Sequence, residues 1–143
     1  MNPWFRTVVV ATALMTSATI LASPPSAKSD LLDGRAFYID SVDENGTSMG
    51  QEYLRFARGH VEGSLCRTYG FTAVAYSASK TGKEVTFTAD MKSAKEGRMV
   101  WSGSIHADRI EGTTIWSKEG QRTMKIRFAG KPVKRVPKEA FGE

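Results

Sequence analysis

Residues 101–116 read Trp101-Ser-Gly-Ser-Ile-His-Ala-Asp-Arg-Ile-Glu-Gly-Thr-Thr-Ile-Trp116 and carry the clearest fold signal in this chain. Apolar and polar residues alternate on both sides of Ala107-Asp108, which is the pattern of two β-strands joined by a two-residue turn. The side-chain period of a strand is two, so this turn fixes which residues share a face. The pairs predicted on one face are Met99–Trp116, Trp101–Thr114, Gly103–Gly112 and Ile105–Ile110.

The same alternation, punctuated by turns that contain glycine, recurs on both sides of this hairpin and indicates a β meander. No window between Leu31 and Ala129 has a convincing helical stripe. The short connections predict that sequential strands run antiparallel. The predicted strands are 36–42, 51–57, 60–66, 71–78, 84–92, 98–106, 109–117 and 122–129.

Three further turns predict the register of neighbouring strands: Arg58-Gly59, Thr81-Gly82 and the three-residue loop Lys118-Glu119-Gly120. Each places apolar residues opposite one another. The turns on either side of strand seven predict the same inward residues for that strand. The predicted pairs are Leu54–Gly63, Phe56–Val61, Val74–Ala89, Tyr76–Phe87, Ala78–Val85, Ile110–Phe128, Gly112–Ile126 and Thr114–Met124.

Eight antiparallel strands with one apolar face can bury that face in two ways. Closing the meander into a small barrel removes the exposed edges, and eight strands suit such a barrel. Folding over into a sandwich or a half-open barrel is the alternative. We predict an all-β fold, an eight-stranded antiparallel meander closed as a small barrel.

Residues 1–22 have the features of a signal peptide. A single charge, Arg6, precedes an uncharged apolar run from Thr7 to Ala22, and small residues surround the expected cleavage after Ala22. A retained membrane anchor is the alternative, but the run is shorter than the roughly 20 apolar residues of a span. We therefore expect an exported protein, periplasmic or secreted, with no transmembrane span after signal removal.

The rest of the chain divides by composition into three parts. Residues 23–30 are rich in Ser and Pro and read as a linker, 31–129 form the barrel domain, and 130–143 form a basic tail with Pro132 and Pro137, predicted to be poorly ordered. Without Arg6, 19 basic side chains stand against 15 acidic ones, a net charge of +4. In an exported protein we expect no nucleic-acid partner for this excess.

The chain has a single cysteine, Cys66, which cannot form a disulfide within it. A buried cysteine that packs as a small apolar residue is the favoured interpretation. An intermolecular disulfide or a reactive thiol is the alternative.

The facing glycines Gly103 and Gly112 leave the inner wall bare at one level. In the structural interpretation, the two glycines let the sheet bend or give a neighbouring aromatic ring room to lie flat. In the functional interpretation, they leave a gap in which a small ligand sits. The candidate ligand-binding residues are Trp101, Trp116, Gly103, Gly112, Tyr76 and Phe87. The other inward side chains are large, which favours a filled core.

Together with 101–116, the stretch Phe56-Ala-Arg-Gly-His-Val-Glu-Gly-Ser-Leu-Cys-Arg-Thr-Tyr-Gly-Phe71 resembles small exported bacterial proteins of unknown function with calycin-like barrels. It is also similar to the META domain, where a Phe-x-x-Gly hairpin leads to a cysteine before an aromatic-rich strand. That pattern has Gly-Cys-Asn where Leu65-Cys66-Arg67 stands here. The resemblance covers residues 34–129 and implies a fold, with no catalytic residue to carry over.

Catalytic motifs are missing from the sequence. There is no Gly-x-Ser-x-Gly elbow, His-Glu-x-x-His motif or phosphate-binding loop, and His60 and His106 fall beside predicted turns. His60 and Glu62 supply only two ligands on one face, too few for a metal site. We expect no cofactor and no metal, and an enzyme only if its site is one that these motifs miss.

The sequence therefore predicts a non-enzymatic, exported cell-envelope protein that binds a protein or an envelope polymer through its loops and outer face. The alternative is a carrier of a small hydrophobic ligand in the barrel interior.

Overall fold

A computed structural model of the protein describes residues 30–143. The predicted signal peptide (1–22) and nearly all of the predicted linker (23–30) lie outside the described residues. The strands are β1 (Ala36–Val42), β2 (Ser48–Ala57), β3 (His60–Gly63), β4 (Val74–Thr81), β5 (Glu84–Ser93), β6 (Gly97–His106), β7 (Arg109–Ser117) and β8 (Met124–Pro132). Helix α1 (Ser64–Thr68) follows β3, and a short 3₁₀ helix (Lys138–Phe141) lies near the C-terminus.

The eight strands form a closed antiparallel barrel in sequence order, as predicted. Closure comes from β1, which pairs with β2 on one side and with β8 on the other. A closed barrel leaves no strand edge with unpaired backbone groups, which is the reason that a meander of this length closes.

The hairpin registers test the turn predictions one by one. The predicted pairs around Ala107-Asp108 and Arg58-Gly59 are confirmed, including Gly103 opposite Gly112. Both of the other registers are wrong by two residues. Tyr76 faces Ala89 rather than Phe87, because β4 continues to Thr81 and the turn is Gly82-Lys83.

The connection between β7 and β8 runs from Lys118 to Thr123 and is longer than the predicted three-residue loop. Strand β8 is consequently shifted, so that Gly112 faces Phe128 and Thr114 faces Ile126. A shift of two residues returns every side chain to the same face, so the predicted inward set survives both errors.

Strand β2 begins at Ser48, three residues before the predicted strand 51–57, and two further segments differ from the sequence-based expectation. The predicted strand 60–66 ends at Gly63, and the chain turns there into helix α1, so β4 begins three residues later than predicted. Strand β8 runs past the predicted domain boundary to Pro132 and pairs with β1. Phe141, in the tail predicted to be poorly ordered, is 2% exposed. Burial of its ring holds the C-terminal residues against the barrel.

Aromatic rings fill the barrel end that carries the turns 58–59, 82–83 and 107–108. Phe56 lies at the centre of this cluster, with ring centroids 6.1 Å from Phe37, 5.1 Å from Tyr76 and 5.2 Å from Phe87, all edge-on. Such edge-to-face contacts are the geometry that aromatic pairs prefer. This end of the barrel is therefore a packed core. Within residues 30–143, no helix has the length and apolar character needed to cross a membrane.

Candidate functional site

The barrel has its shortest strand pairing between β3 and β4. These strands share only the pairs His60–Ala75 and Val61–Val74, after which they separate. Helix α1 and residues 69–73 complete the wall there in place of a longer strand pair. A cavity of about 230 Å³ lies beneath them, and Leu65, Cys66 and Phe71 are part of its lining.

The cavity lies at the end opposite the aromatic cluster, which we call the α1 end. Its lining is mostly apolar, with a few polar groups, as is usual for small-molecule sites. The lining residues are Ser41, Met49, Glu52, Leu65, Cys66, Tyr69, Phe71, Glu96, Met99, Trp101, Thr114, Trp116 and Ile126.

Glu52 is the buried acid of this site, with 6% of its surface exposed. The alternation of β2 points it inward with Leu54 and Phe56. Its Oε2 accepts hydrogen bonds from the backbone N–H groups of Leu65 and Cys66, each at 3.2 Å. Burial outweighs these hydrogen bonds and raises the pKa of the Glu52 carboxyl group above its usual 4.5.

Gly63 makes the space that the Glu52 carboxyl group occupies. A Cβ atom at this position would overlap Oε2 of Glu52 and lie 3.2 Å from Cβ of Cys66. Only a residue without a side chain therefore allows β3 to end beside the acid and α1 to begin over it.

Cys66 lies next to Glu52 and is 4% exposed. Its thiol is 3.6 Å from Oε1 of Glu52 and 3.9 Å from Sδ of Met99. Burial, reinforced by the neighbouring carboxyl group, raises the pKa of Cys66 well above the ordinary thiol range. Because the thiolate is the reactive form, this cysteine is held in its unreactive form, as the favoured interpretation expected.

Trp101 and Thr114 face each other across the β6–β7 hairpin, and both line the cavity. Trp101 is 3% exposed and Thr114 is 2% exposed. Within residues 30–143, neither Nε1 of Trp101 nor Oγ1 of Thr114 has a hydrogen-bond partner. Buried polar groups are normally paired, so these two unpaired ones on facing side chains are an exception within the wall of the cavity.

Trp116 differs from Trp101 in this respect. Its indole Nε1 donates a hydrogen bond of 2.6 Å to the backbone carbonyl of Glu96. The Glu96 carboxylate in turn accepts a hydrogen bond of 3.0 Å from Nζ of Lys118. Trp116 is thus held in place by the β5–β6 connection and presents its ring to the cavity.

Two of the six predicted ligand-binding residues, Trp101 and Trp116, line the cavity. The other four lie outside its lining: Tyr76, Phe87, Gly103 and Gly112. The space above Gly103 is occupied, since a Cβ there would be 2.6 Å from Cε1 of Phe87 and 2.9 Å from Cζ of Phe128. A Cβ at Gly112 would overlap the backbone carbonyl of Ser102. The facing glycines accommodate aromatic rings and a close strand approach, which is the packing interpretation.

Tyr76 and Phe87 belong to the aromatic cluster at the other end. The Tyr76 hydroxyl accepts a hydrogen bond of 3.0 Å from the backbone N–H of Leu32 and donates one of 2.9 Å to Asp33. These contacts tie the segment before β1 to the barrel. They leave Tyr76 with a structural role, away from the cavity.

Glu52, Cys66 and Thr114 were not among the predicted site residues. The alternation that places Leu54 and Phe56 inward also places Glu52 inward, so the signal for the buried acid was present in the sequence. The cavity itself has no such signal, because it arises from α1, which the sequence pattern did not predict.

A second hollow, of about 400 Å³, lies on the outer face beside Arg55 and His60. Both of its acidic side chains, Glu62 and Glu143, contact Arg55. His60 is exposed, with Nδ1 2.8 Å from the Arg58 carbonyl. Among the described residues there is no group of three His, Cys, Asp or Glu side chains that could hold a metal ion.

Comparison with known proteins gave no match: no family model, no curated protein and no solved structure matches this chain.

Proposed function

We propose that this protein binds a small, mostly apolar molecule in the cavity at the α1 end of the barrel. The observation that carries the proposal is the cavity itself, about 230 Å³ in volume, with a mostly apolar lining and the buried carboxyl group of Glu52 in its wall. A mostly apolar hollow with a few polar groups is the usual form of a small-molecule site.

A binding role fits the chemistry of the cavity better than a catalytic one. Its one thiol, Cys66, is kept protonated by burial. Both histidines are exposed and lie at the β2–β3 and β6–β7 turns, at the far end of the barrel. The proposal thus selects the small-ligand carrier that the sequence analysis kept as its alternative. Export, a location in the cell envelope and a protein or polymer partner stay predictions from the sequence.

The test uses two small neutral ring compounds, indole and benzyl alcohol, added to the full chain and followed by NMR of the tryptophan indole N–H groups. We expect chemical shift changes at Trp101 and Trp116. Leu65→Trp, which places a large ring at the cavity wall, should remove them. Ile115→Trp is the matched control, because Ile115 lies on the outer face of β7 and is 38% exposed.

No shift with either compound would count against the proposal. Equal loss of binding in Leu65→Trp and Ile115→Trp would do the same, because it would place the binding site outside the cavity.

A further inference from the structure

The charged side chains that line the cavity are acidic. Among the described residues the lining includes Glu52 and Glu96 but neither lysine nor arginine. The Glu96 carboxylate is compensated by Lys118, 3.0 Å away. Within residues 30–143 no basic side chain lies within ion-pair distance of Glu52, whose partners are the N–H groups and thiol of α1. An anionic ligand would meet a buried acid with no compensating cation.

The rest of the lining is of the kind that attracts organic cations. Four aromatic side chains, Tyr69, Phe71, Trp101 and Trp116, contribute to the wall. A cation over the face of an aromatic ring is attracted by the negative face of the π system, most strongly for tryptophan, and aromatic cages bind quaternary ammonium groups in this way. The polarizable thioether of Met99 adds to a wall that accepts such a group without a hydrogen bond.

Building on the binding role proposed above, we propose that the ligand is a small organic cation, an ammonium group on a single ring or a short alkyl body, with the Glu52 carboxylate as its counter-ion. The volume sets the size. A cavity of about 150 Å³ holds one benzene ring. The 230 Å³ here is enough for one ring and a substituted ammonium group.

The protonation of Glu52 makes binding depend on pH. Burial raises the pKa of Glu52, and a cation beside the carboxylate favours the ionised form and lowers that pKa again. The titratable groups that share its surroundings are Cys66 on α1 and, in the cavity lining, Tyr69 and Glu96. A permanently charged ligand should therefore bind more weakly as the pH falls through the pKa of Glu52.

The test compares phenyltrimethylammonium with tert-butylbenzene, which has the same shape with carbon in place of the charged nitrogen. Both are titrated into the full chain, with the Trp101 and Trp116 indole N–H signals as the readout. We expect the cation to bind at least tenfold more tightly. In Glu52→Gln, where the amide oxygen still accepts the N–H groups of α1, this preference should fall to about onefold.

Glu84→Gln is the matched control, because Glu84 is exposed at the start of β5, and it should keep the tenfold preference. If Glu52→Gln fails to fold, the pH series on the unchanged protein decides instead. Affinity for phenyltrimethylammonium should fall on acidification while that for tert-butylbenzene stays constant.

Each outcome separates the two proposals. Binding of tert-butylbenzene as tightly as the cation, or a cation affinity that does not change with pH, would overturn the assignment of a cationic ligand and leave the binding cavity in place. If neither compound moves the Trp101 or Trp116 signal, and indole and benzyl alcohol also fail, the binding function falls with it.

Discussion

The Glu52 carboxyl group accepts hydrogen bonds from Cys66 at both of its oxygens, from the backbone N–H at 3.2 Å and from the thiol at 3.6 Å. The N–H groups at the start of a helix have no partner within the helix, and Glu52 supplies one from a neighbouring strand. The acid that lines the cavity therefore also holds α1 in the barrel wall. Ligand binding and closure of the wall depend on the same side chain.

Glu52→Gln should change how stability depends on pH. Burial raises the pKa of Glu52 in the folded protein, so its contribution to stability is fully present below about pH 4.5 and is lost as the pH rises through the folded pKa. The glutamine variant has no such group. We therefore expect the variant to gain stability relative to the unchanged protein between pH 4 and pH 7, measured by urea unfolding.

Glu84→Gln provides the control, because it makes the same chemical change at an exposed position at the start of β5, away from the cavity. The opposite trend for Glu52→Gln, a relative loss of stability toward pH 7, would mean that the hydrogen bonds from α1 outweigh burial.

Gly103→Ala should destabilise the barrel. The added methyl group would lie 2.6 Å from the Phe87 ring and 2.9 Å from that of Phe128, so both rings must move. Overpacking of this kind costs about 1–3 kcal/mol. Ser102→Ala changes the neighbouring outward position and should stay within about 0.5 kcal/mol in the same urea experiment. A Gly103→Ala protein of unchanged stability would mean that the space between the facing glycines is open rather than filled.

The sequence predicts the barrel well because its strongest signals are geometric. Two-residue turns at Arg58-Gly59 and Ala107-Asp108 leave one register each, and both registers are confirmed. The two errors, in β4 and β8, arise where a turn can slide along the chain by two residues without moving a side chain to the other face. The pattern of apolar residues cannot distinguish two such registers, because both registers place inward residues opposite inward residues.

The cavity could be predicted only in part. Trp101 and Trp116 were singled out from the inward face of the β6–β7 hairpin, and both line it. Helix α1 spans five residues, too short for a helical stripe, and it forms where Glu52 can bond its first N–H groups. Its position depends on a contact between residues 14 apart in the chain, which local pattern cannot reveal.

At alkaline pH, Tyr76→Phe should lose less of its free energy of unfolding than the unchanged protein does. Burial raises the pKa of Tyr76 to about 12 from the usual 10.0. Its contribution is thus fully present below pH 10 and is lost as the pH rises toward 12. Because both proteins contain Cys66, the titration of that thiol cancels in their difference. Unfolding by urea between pH 8 and pH 11 should show the variant falling less steeply than the unchanged protein above pH 10. Parallel curves would contradict the buried position of the hydroxyl group.

Phe141→Ala should release the C-terminal residues from the barrel. The Phe141 ring is 2% exposed, and the Arg55 guanidinium lies over it, 4.2 Å from the ring centroid. Arg55 also contacts the side chain of Glu143 at 2.8 Å. The same arginine therefore makes both the ring contact and the ion pair with the C-terminal residues. Loss of a buried phenylalanine costs about 3 kcal/mol, whereas an ion pair exposed to solvent contributes far less. The ring should therefore carry most of the attachment.

Two variants separate these contributions. Glu143→Gln should lower the free energy of unfolding far less than Phe141→Ala does, because its ion pair with Arg55 is exposed to solvent. Lys138→Ala, an exposed change in the 3₁₀ helix that contains Phe141, should also have a small effect. Hydrogen exchange in residues 133–143 should speed up in Phe141→Ala and remain slow in the other two. Fast exchange in the unchanged protein would instead support the sequence-based prediction of a poorly ordered tail, since a ring buried against the barrel must protect the backbone on either side of it.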